Sequence, residues 1–226
     1  LPWEDAWRIT VGTFSYTNHT LLPEALETWP VDLFGGLLPR HLEIIYRINT
    51  EHLGAAKLKN LSDFDTLESI SLVDEHDGRK LRMGHLAFVG SHCTNGVSRL
   101  HTSLMRKTVF HELHAIYPDR IVNKTNGITF RRWLLQSNPG LTRILRDICG
   151  DAVLDDLTQM ARLADHAEDR GIQLRIRAAK RANKVALARL IAERLDVSVD
   201  PDALFDIHIK RIHEYKRQHL NALHIV

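Results

Sequence analysis

The sequence has little of several residue types and patterns, and each shortage argues against a class of protein. Its two cysteines, Cys93 and Cys149, lie far apart and in no metal-ligand or redox spacing. We therefore expect two structural thiols in a reduced, cytoplasmic setting rather than a disulfide framework. No apolar run is long enough to span a membrane. Aromatic residues make up 7% of the chain and the net charge is only +2, so no nucleic-acid partner is predicted.

Catalytic motifs of the common hydrolase, zinc and nucleotide-binding types are also missing. His111 and His114 are not at the spacing that places two zinc ligands on one helix face. The small polar segment Gly90–Gly96 lacks the glycine order of a nucleotide-binding loop, and Ser91–His92 has no carboxylate to complete a triad. No metal site is predicted, and isolated histidines such as His101 are expected at the surface or as helix caps.

The apolar residues that are present, 44% of the chain, follow periodic patterns sufficient for a buried core in one large domain or two smaller ones. Helical spacing predicts long helices in both halves of the chain. They are Trp3–Thr17, a helix from Pro39 through Leu53, Val97–Phe110, Asn138–Cys149, Asp151–Asp169 and Ile172–Leu195.

Turn residues punctuate these helices and indicate where the chain divides. The turn cluster Asp74–Gly78 is expected to join two strands. Alternating residues at Leu204–Ile209 predict a short strand, and the spacing from His213 to Val226 predicts a helix after it. The loop Asn123–Arg132 is the predicted domain junction, because a new helix–strand–helix region begins beyond it.

The segment Asp206–Gln218 contains the densest group of cations. A strand that delivers cations to the first turn of a helix would form a phosphate site, because the free N–H groups of the helix add to the side-chain charges. The alternative is a solvated basic surface, which is the commoner fate of such a run. The hydroxyl of Tyr215 among the charges favours phosphate. The cations are Lys210, Arg211, Lys216 and Arg217.

Two loops rich in neutral hydrogen-bonding groups are candidates for sugar recognition. Asn18–Thr20 and Thr125–Gly127 each combine several donors and acceptors, as sugar hydroxyls require. Taken alone, each loop is better explained by turn chemistry. Trp133, which follows two arginines, is an interface anchor or a core residue, and core is the simpler interpretation in isolation.

Five segments together resemble the α-glucan phosphorylase family, which comprises glycogen, maltodextrin and starch phosphorylases. They occur in the family's order across essentially the whole chain. The resemblance implies an α/β, two-domain, GT-B-like glycosyltransferase fold, of which this chain is a mostly helical fragment spanning the domain junction. The matching segments are Tyr16–Pro30, Leu38–Tyr46, Gly90–Gly96, Asn123–Trp133 and Lys210–Gln218.

The resemblance implies that residues 1–127 end the N-terminal domain and residues 128–226 begin the C-terminal domain, with pyridoxal 5'-phosphate buried in the cleft between them. The implied reaction is reversible phosphorolysis of α-1,4-glucan by inorganic phosphate, yielding glucose 1-phosphate, in a parent homodimer. The lysine that forms the Schiff base with the cofactor is expected beyond Val226. The fragment alone is therefore expected to be inactive and unable to hold the cofactor covalently.

The resemblance also implies roles for individual residues. Arg211 and Lys216 would hold the substrate phosphate, while Lys210, and in part Lys216, would face the cofactor phosphate. These three are the predicted catalytic residues. Trp133 matches a residue that packs near the cofactor.

Three further residues are implied to bind the sugar. Tyr215 would bond the glucose 2-hydroxyl, and His19 and Asn126 match family positions at the 6-hydroxyl end. A departure from the family pattern is Phe130, which stands where proline is usual and puts the stiffness of the interdomain linker in doubt. A remote glycan-storage site of some members matches a separate group of residues. Its members are Arg40, Glu43 and Tyr46, with Arg79 and Glu75 as possible additions.

Two alternatives to the enzyme remain open from the sequence. One is a non-catalytic glucan-binding or regulatory relic of the same scaffold, which would lack the cofactor lysine. The other is a polyanion or nucleic-acid binder that uses the basic helix Ile172–Leu195 and the later basic cluster. It predicts steeply salt-dependent binding to nucleic acid.

Overall fold

Helices and short strands are mixed along the chain, which is 62% helical in a computed structural model that describes residues 1–76 and 78–226. The described residues divide into unit 1, Leu1–Gly127, and unit 2, Ile128–Val226. The boundary between the units lies in the loop 123–132.

The elements follow one another in a fixed order. The helices are α1 (Trp3–Thr13), α2 (Val31–Leu37), α3 (Pro39–Leu58), α4 (Phe64–Ile70), α5 (Met83–Val89), α6 (Arg99–Lys107), α7 (His111–Ile116), α8 (Pro139–Cys149), α9 (Arg170–Leu195) and α10 (Gln218–Ile225). The strands are β1 (Ser15–Thr17), β2 (Thr28–Pro30), β3 (Val73–Asp74), β4 (Lys80–Arg82), β5 (Cys93–Gly96) and β6 (Ile121–Asn123). Short 3-10 segments cover Pro23–Ala25, Asp151–Leu154, Leu157–His166 and Glu214–Lys216, and a π-helix covers Arg131–Gln136.

Unit 1 contains two three-stranded sheets. The first is parallel, with β5 between β1 and β6 and with Tyr16 opposite Thr94. The second is antiparallel, with β4 between β2 and β3. The predicted link between two strands at Asp74–Gly78 is confirmed, since β3 and β4 pair across it, although Asp77 itself lies outside the described residues.

Helix α3 shows how unit 1 builds its core. Pro39 occupies the first helical turn, where its missing N–H costs nothing. Ile45, Ile48, His52 and Ala56 then recur at helical spacing and are all buried, as the apolar pattern predicts. They pack with a cluster that includes Phe88 and other buried side chains from the remaining helices of the unit.

His52 is buried in this core and His85 is partly buried beside it, and both are held in the neutral state. The pKa of His52 is lowered to about 4, mainly by burial and to a smaller extent by the Arg120 guanidinium, while the hydrogen bond with the Ile70 carbonyl opposes the shift. Burial likewise lowers the pKa of His85 to about 4, with the Arg82 guanidinium as the next cause. His52 Nδ1 lies 3.1 Å from the Tyr117 hydroxyl, so its ring is also fixed by hydrogen bonding.

These two histidines predict a loss of stability in mild acid. Because their folded pKa values lie below the ordinary 6.5, the unfolded chain binds more protons as the pH falls from 6.5 towards 4. Each histidine should therefore lower the free energy of unfolding by about 2 kcal/mol between pH 7 and pH 5. Urea unfolding of this chain at both pH values measures the change. Replacing the exposed His41 by Ala should leave this difference in the free energy of unfolding between pH 7 and pH 5 unchanged. Equal stability of the wild-type chain at the two pH values would contradict the role given to the buried histidines.

Unit 2 has a smaller core and a clear helix boundary. Leu135, Leu145, Cys149 and Val153 form its buried cluster. Helix α8 begins as predicted, with the Asn138 side chain accepting from the Leu141 N–H, and it ends before Gly150, whose φ of 79° is in the left-handed region that favours glycine.

Helix α9 carries no buried residue, so the interpretation of its basic side as a solvated face is confirmed. Asp169 caps the helix by accepting from the N–H groups of Gly171 and Ile172. Arg181 pairs with Asp202 at 2.7 Å on the helix surface.

Two predicted helices are wrong in extent. The helix predicted over Trp3–Thr17 ends at Thr13, and Ser15–Thr17 instead pairs with β5, because an available parallel edge outweighs helical spacing in so short a stretch. The helix predicted over Asp151–Asp169 is two 3-10 segments. They are separated at Asp156, whose carboxylate accepts from the Thr158 N–H and starts the second segment.

Candidate functional site

One candidate site lies in unit 1, at the carboxyl ends of the three parallel strands. The loops after β1 and β6 both hydrogen-bond to the backbone around the end of β5. Asn18 N–H donates to the Asn95 carbonyl at 3.1 Å, and Asn126 N–H donates to the Val97 carbonyl at 3.0 Å. His19, next to Asn18, and Asn126 therefore lie at the same sheet edge, on either side of β5. This edge is where open α/β sheets bind their ligands.

A buried amide fixes the loop that carries His19. The Asn18 side chain is 1% exposed. Its Oδ1 accepts from the Thr20 N–H at 3.2 Å, and its Nδ2 donates to the Tyr16 hydroxyl at 3.1 Å. Both ends of the amide are thus satisfied, as a buried polar group requires, and His19 is held at the tip of a fixed turn.

A cavity of about 410 Å³ opens beside this turn. Its volume is in the range of small-molecule sites, roughly 300–1,000 Å³. His19 and Thr20 line it together with Tyr16, Asn18 and Glu27. The polar ends of Tyr16 and Asn18 bond to each other, and Glu27 accepts from the Trp29 indole N–H. The cavity can therefore present the His19 imidazole and the Thr20 hydroxyl to a polar ligand.

Two residues at this edge have roles that the sequence analysis did not assign to the site. His101 Nδ1 accepts from the Val97 N–H at 3.2 Å, just before Ser98, which caps α6 by accepting from the His101 N–H. Burial lowers the pKa of His101, and so does His19, against the opposing Thr20 backbone. Gly96 is the second, because a Cβ there would lie 2.3 Å from the Thr102 hydroxyl oxygen. The need for glycine at position 96 comes from this close approach of Thr102, which the spacing of residues in the sequence does not reveal.

A second candidate site is the cationic segment, defined as Lys210–Arg217, in unit 2. Among residues 1–76 and 78–226, no carboxylate lies within ion-pair distance of its four cations. Lys216 is half-buried, with its Nζ 5.6 Å from the centre of the Tyr215 ring. Unneutralised positive charge beside a hydroxyl is an arrangement that can bind an anion.

The local structure of this segment differs from the prediction. Leu204–Ile209 is not a strand, because all six strands of the described residues lie in unit 1 and none pairs with it. An alternating segment without a pairing partner leaves its backbone groups to water, and Leu204 and Ile209 are accordingly exposed. The helix predicted from His213 begins only at Gln218, after a 3-10 turn at Glu214–Lys216.

Comparison with known proteins matches the chain over its full length. The family model for carbohydrate phosphorylases covers residues 1–226. The liver form of glycogen phosphorylase from Bos taurus is 46% identical over 226 residues, which is 100% of this chain and 27% of that protein. Glycogen phosphorylase from Synechocystis sp. is 47% identical over 224 residues, 99% of this chain and 26% of the relative. The liver form from Homo sapiens is 45% identical over 226 residues, again 27% of its length.

The chain belongs to the carbohydrate phosphorylase family. It spans about a quarter of the length of the curated relatives that it matches. The predicted resemblance is thereby confirmed, and the match covers both units rather than one of them.

Trp133 of this phosphorylase chain is not a core residue, so the simpler interpretation from the sequence is wrong. Its side chain is 70% exposed, and the Arg132 guanidinium lies 5.0 Å from its ring centre. The ring stands on the π-helix Arg131–Gln136, whose widened turn pushes side chains out of helical register. An exposed indole of this kind is available to a ligand or a partner.

The residues matched to a glycan-storage region of some phosphorylases are partly assembled. Arg79 donates to the Tyr46 hydroxyl at 3.0 Å and to the Glu75 carboxylate at 2.9 Å. Arg40 instead pairs with Glu43 at 2.9 Å. The structure thus brings Arg79, Tyr46 and Glu75 together.

The described part of this phosphorylase chain contains neither a metal-binding cluster nor a membrane-spanning helix. No group of three or more His, Cys, Asp or Glu side chains in that part is arranged to hold a metal ion. No helix there is long and apolar enough to cross a membrane. Cys149 is a buried free thiol and Cys93 a partly buried one.

Proposed function

We propose that this chain is part of an α-glucan phosphorylase. The full-length protein would catalyse the reversible phosphorolysis of terminal α-1,4-glucosyl residues of glycogen or maltodextrin. The observation that carries the proposal is the match to glycogen phosphorylases along all 226 residues. The cations of the cationic segment, which have no carboxylate partner in the described ranges, and the cavity beside His19 support it independently.

The proposal includes the fold of the whole protein. We infer a GT-B-like, two-domain architecture in which residues 1–127 end the N-terminal domain and residues 128–226 begin the C-terminal one. The division of the described residues into two units supports this assignment. A cytoplasmic location and a homodimeric parent remain predictions.

The cationic segment is proposed to neutralise phosphate. In the reaction, a phosphate oxygen bonds to C1 of the terminal glucose, the bond from C1 to the bridging oxygen breaks, and that oxygen takes up a proton. The Arg211 guanidinium would bind the substrate phosphate through two N–H groups, with Lys216 beside it. Lys210 would face a second phosphate. Cations placed before the reaction begins stabilise the negative charge of two crowded phosphates most effectively.

The residues present fit pyridoxal 5'-phosphate. Lys210 and Lys216 have no carboxylate partner in the described ranges, which suits the cofactor phosphate, and the exposed ring of Trp133 suits an aromatic neighbour. When bound, the cofactor would supply a second phosphate group that exchanges a proton with the substrate phosphate. This chain's part would be to hold that group. We propose that this portion of the protein is inactive by itself.

His19 and Asn126 are proposed to recognise the glucose 6-hydroxyl. Their shared position at the carboxyl edge of the parallel sheet supports a common ligand. The fixed turn at Asn18 limits the movement of His19 before the sugar arrives, so less entropy would be lost on binding.

One experiment tests the proposed function. The full-length protein, incubated with glycogen and inorganic phosphate, should release glucose 1-phosphate, and its absorbance spectrum should contain the band of a bound pyridoxal cofactor. Release of free glucose without a requirement for phosphate would point to hydrolysis instead. A protein that binds glycogen but releases no sugar phosphate would support the non-catalytic relic.

Replacing Tyr215 by Phe gives a sharper prediction about the sugar. Tyr215 is 58% exposed, and loss of its hydroxyl removes one hydrogen bond to the glucose 2-hydroxyl. Binding of glucose 1-phosphate to the full-length enzyme should weaken about fivefold, as expected for roughly 1 kcal/mol. Binding of inorganic phosphate, measured by its KM in phosphorolysis, should stay unchanged. Equal weakening of both ligands would instead assign the ring a packing role.

A further inference from the structure

One side chain ties together the backbone of the cationic segment. Gln218 is the first residue of α10. Its Nε2 donates to the carbonyl oxygens of Lys210 and Arg211, both at 3.1 Å. Its Oε1 accepts from the His213 N–H at 3.1 Å. A single amide thus makes three hydrogen bonds to the backbone that carries two of the proposed phosphate ligands.

The tie matters because the segment has little regular structure of its own. Lys210–His213 belongs to no helix and to no strand of the described chain. Fixing each such residue costs about 1–2 kcal/mol of backbone entropy. Hydrogen bonds from a residue anchored at the start of a helix offset part of that cost.

The backbone next to Gln218 is also in an unfavourable conformation. Arg217 has a φ of 53°, in the left-handed region, which costs a residue with a Cβ about 1–2 kcal/mol. Such strain persists only where the surroundings hold it, and it is concentrated at functional sites. The turn before it is closed by Lys216 N–H donating to the His213 carbonyl at 3.0 Å. His213 is thus tied to Gln218 on one side and to Lys216 on the other.

We propose that Gln218 is a positioning residue for phosphate binding. Through the carbonyls of Lys210 and Arg211 it sets where those two cations stand relative to Lys216, which is carried by the turn on the other side of His213. The inference rests on the proposed function, because it requires the cationic segment to bind phosphate. An ordinary helix-capping role would change stability without distinguishing phosphate from glucan.

The test is a comparison of two Michaelis constants in the full-length enzyme. Gln218→Met keeps the length of the side chain but can make none of the three hydrogen bonds. The KM for inorganic phosphate should rise about tenfold or more, because misplaced cations bind the anion less well. The KM for glycogen should stay within about twofold, and the pyridoxal phosphate content should match that of the wild type.

Two further variants keep the test decisive. Asn221→Leu is the matched control, because it removes another side-chain amide of α10 whose hydrogen bond reaches Asp206, outside the cationic segment. Its phosphate KM should equal that of the wild type. Gln218→Asn retains an amide that is one methylene too short to span the loop, and its phosphate KM should rise as in Gln218→Met.

Several outcomes would overturn the inference. They are an unchanged phosphate KM in a folded Gln218 variant, an equal rise in both Michaelis constants, the same rise in Asn221→Leu, and a failure of both Gln218 variants to fold while Asn221→Leu folds. A wild-type enzyme that releases no glucose 1-phosphate would instead contradict the proposed function itself.

Discussion

Replacing Arg211 by Ala in the full-length protein should lower phosphorolysis by about 10²–10³-fold or more, the scale of losing a preorganised charge contact. Arg211 is an exposed cation without a carboxylate partner in the described ranges, so its removal unpairs no buried group. The substitution removes the bidentate guanidinium that is proposed to bind the negatively charged substrate phosphate. Steady-state release of glucose 1-phosphate measures the effect, and cofactor content should remain nearly unchanged.

Two control variants test whether the loss of activity is specific to the guanidinium of Arg211. Arg177→Ala removes an exposed cation of α9 and should leave the activity unchanged. Arg211→Lys keeps the charge but not the fork, and should give an intermediate rate. Loss of pyridoxal phosphate from Arg211→Ala would show that Arg211 holds the cofactor rather than the substrate phosphate.

Replacing Gly96 by Ala should destabilise unit 1 by about 2–3 kcal/mol, the usual cost of overpacking a filled core. The new Cβ would lie 2.3 Å from the Thr102 hydroxyl oxygen and 2.8 Å from the Thr102 Cα. Because the Cα is backbone, helix α6 has to move. The Thr102 hydroxyl also lies 3.0 Å from Asn123 Oδ1, so the end of β6 would be disturbed as well.

Denaturant unfolding of this chain measures the effect. Gly127→Ala is the matched control, because a Cβ there meets nothing within 4 Å and its φ is not in the left-handed region. Its stability should equal that of the wild type. If Gly96→Ala were as stable as Gly127→Ala, the close approach of β5 to α6 would not be a real constraint on the sheet edge.

Features set by neighbouring residues were the most predictable from the sequence. The start of α8 at Pro139 with its Asn138 cap, and the end before Gly150, depend only on local backbone chemistry. The buried face of α3 likewise follows from spacing alone. These predictions succeeded because no distant part of the chain competes with the local preference.

Features that depend on a distant partner were less predictable. Ser15–Thr17 became a strand because β5, far along the chain, pairs with it. Leu204–Ile209 stayed irregular because no strand of the described residues pairs with it. The same reason explains the candidate site. The residue types of the cationic segment were evident from the sequence, but the amide of Gln218 that ties its backbone is visible only in three dimensions.

The most direct test of the account is a crystal structure of the full-length protein with inorganic phosphate bound. Oxygens of the bound phosphate should lie about 2.7–2.9 Å from the Arg211 guanidinium nitrogens and from Lys216 Nζ. A phosphate bound elsewhere, with Lys210, Arg211 and Lys216 extending into bulk solvent, would contradict the assignment of the cationic segment.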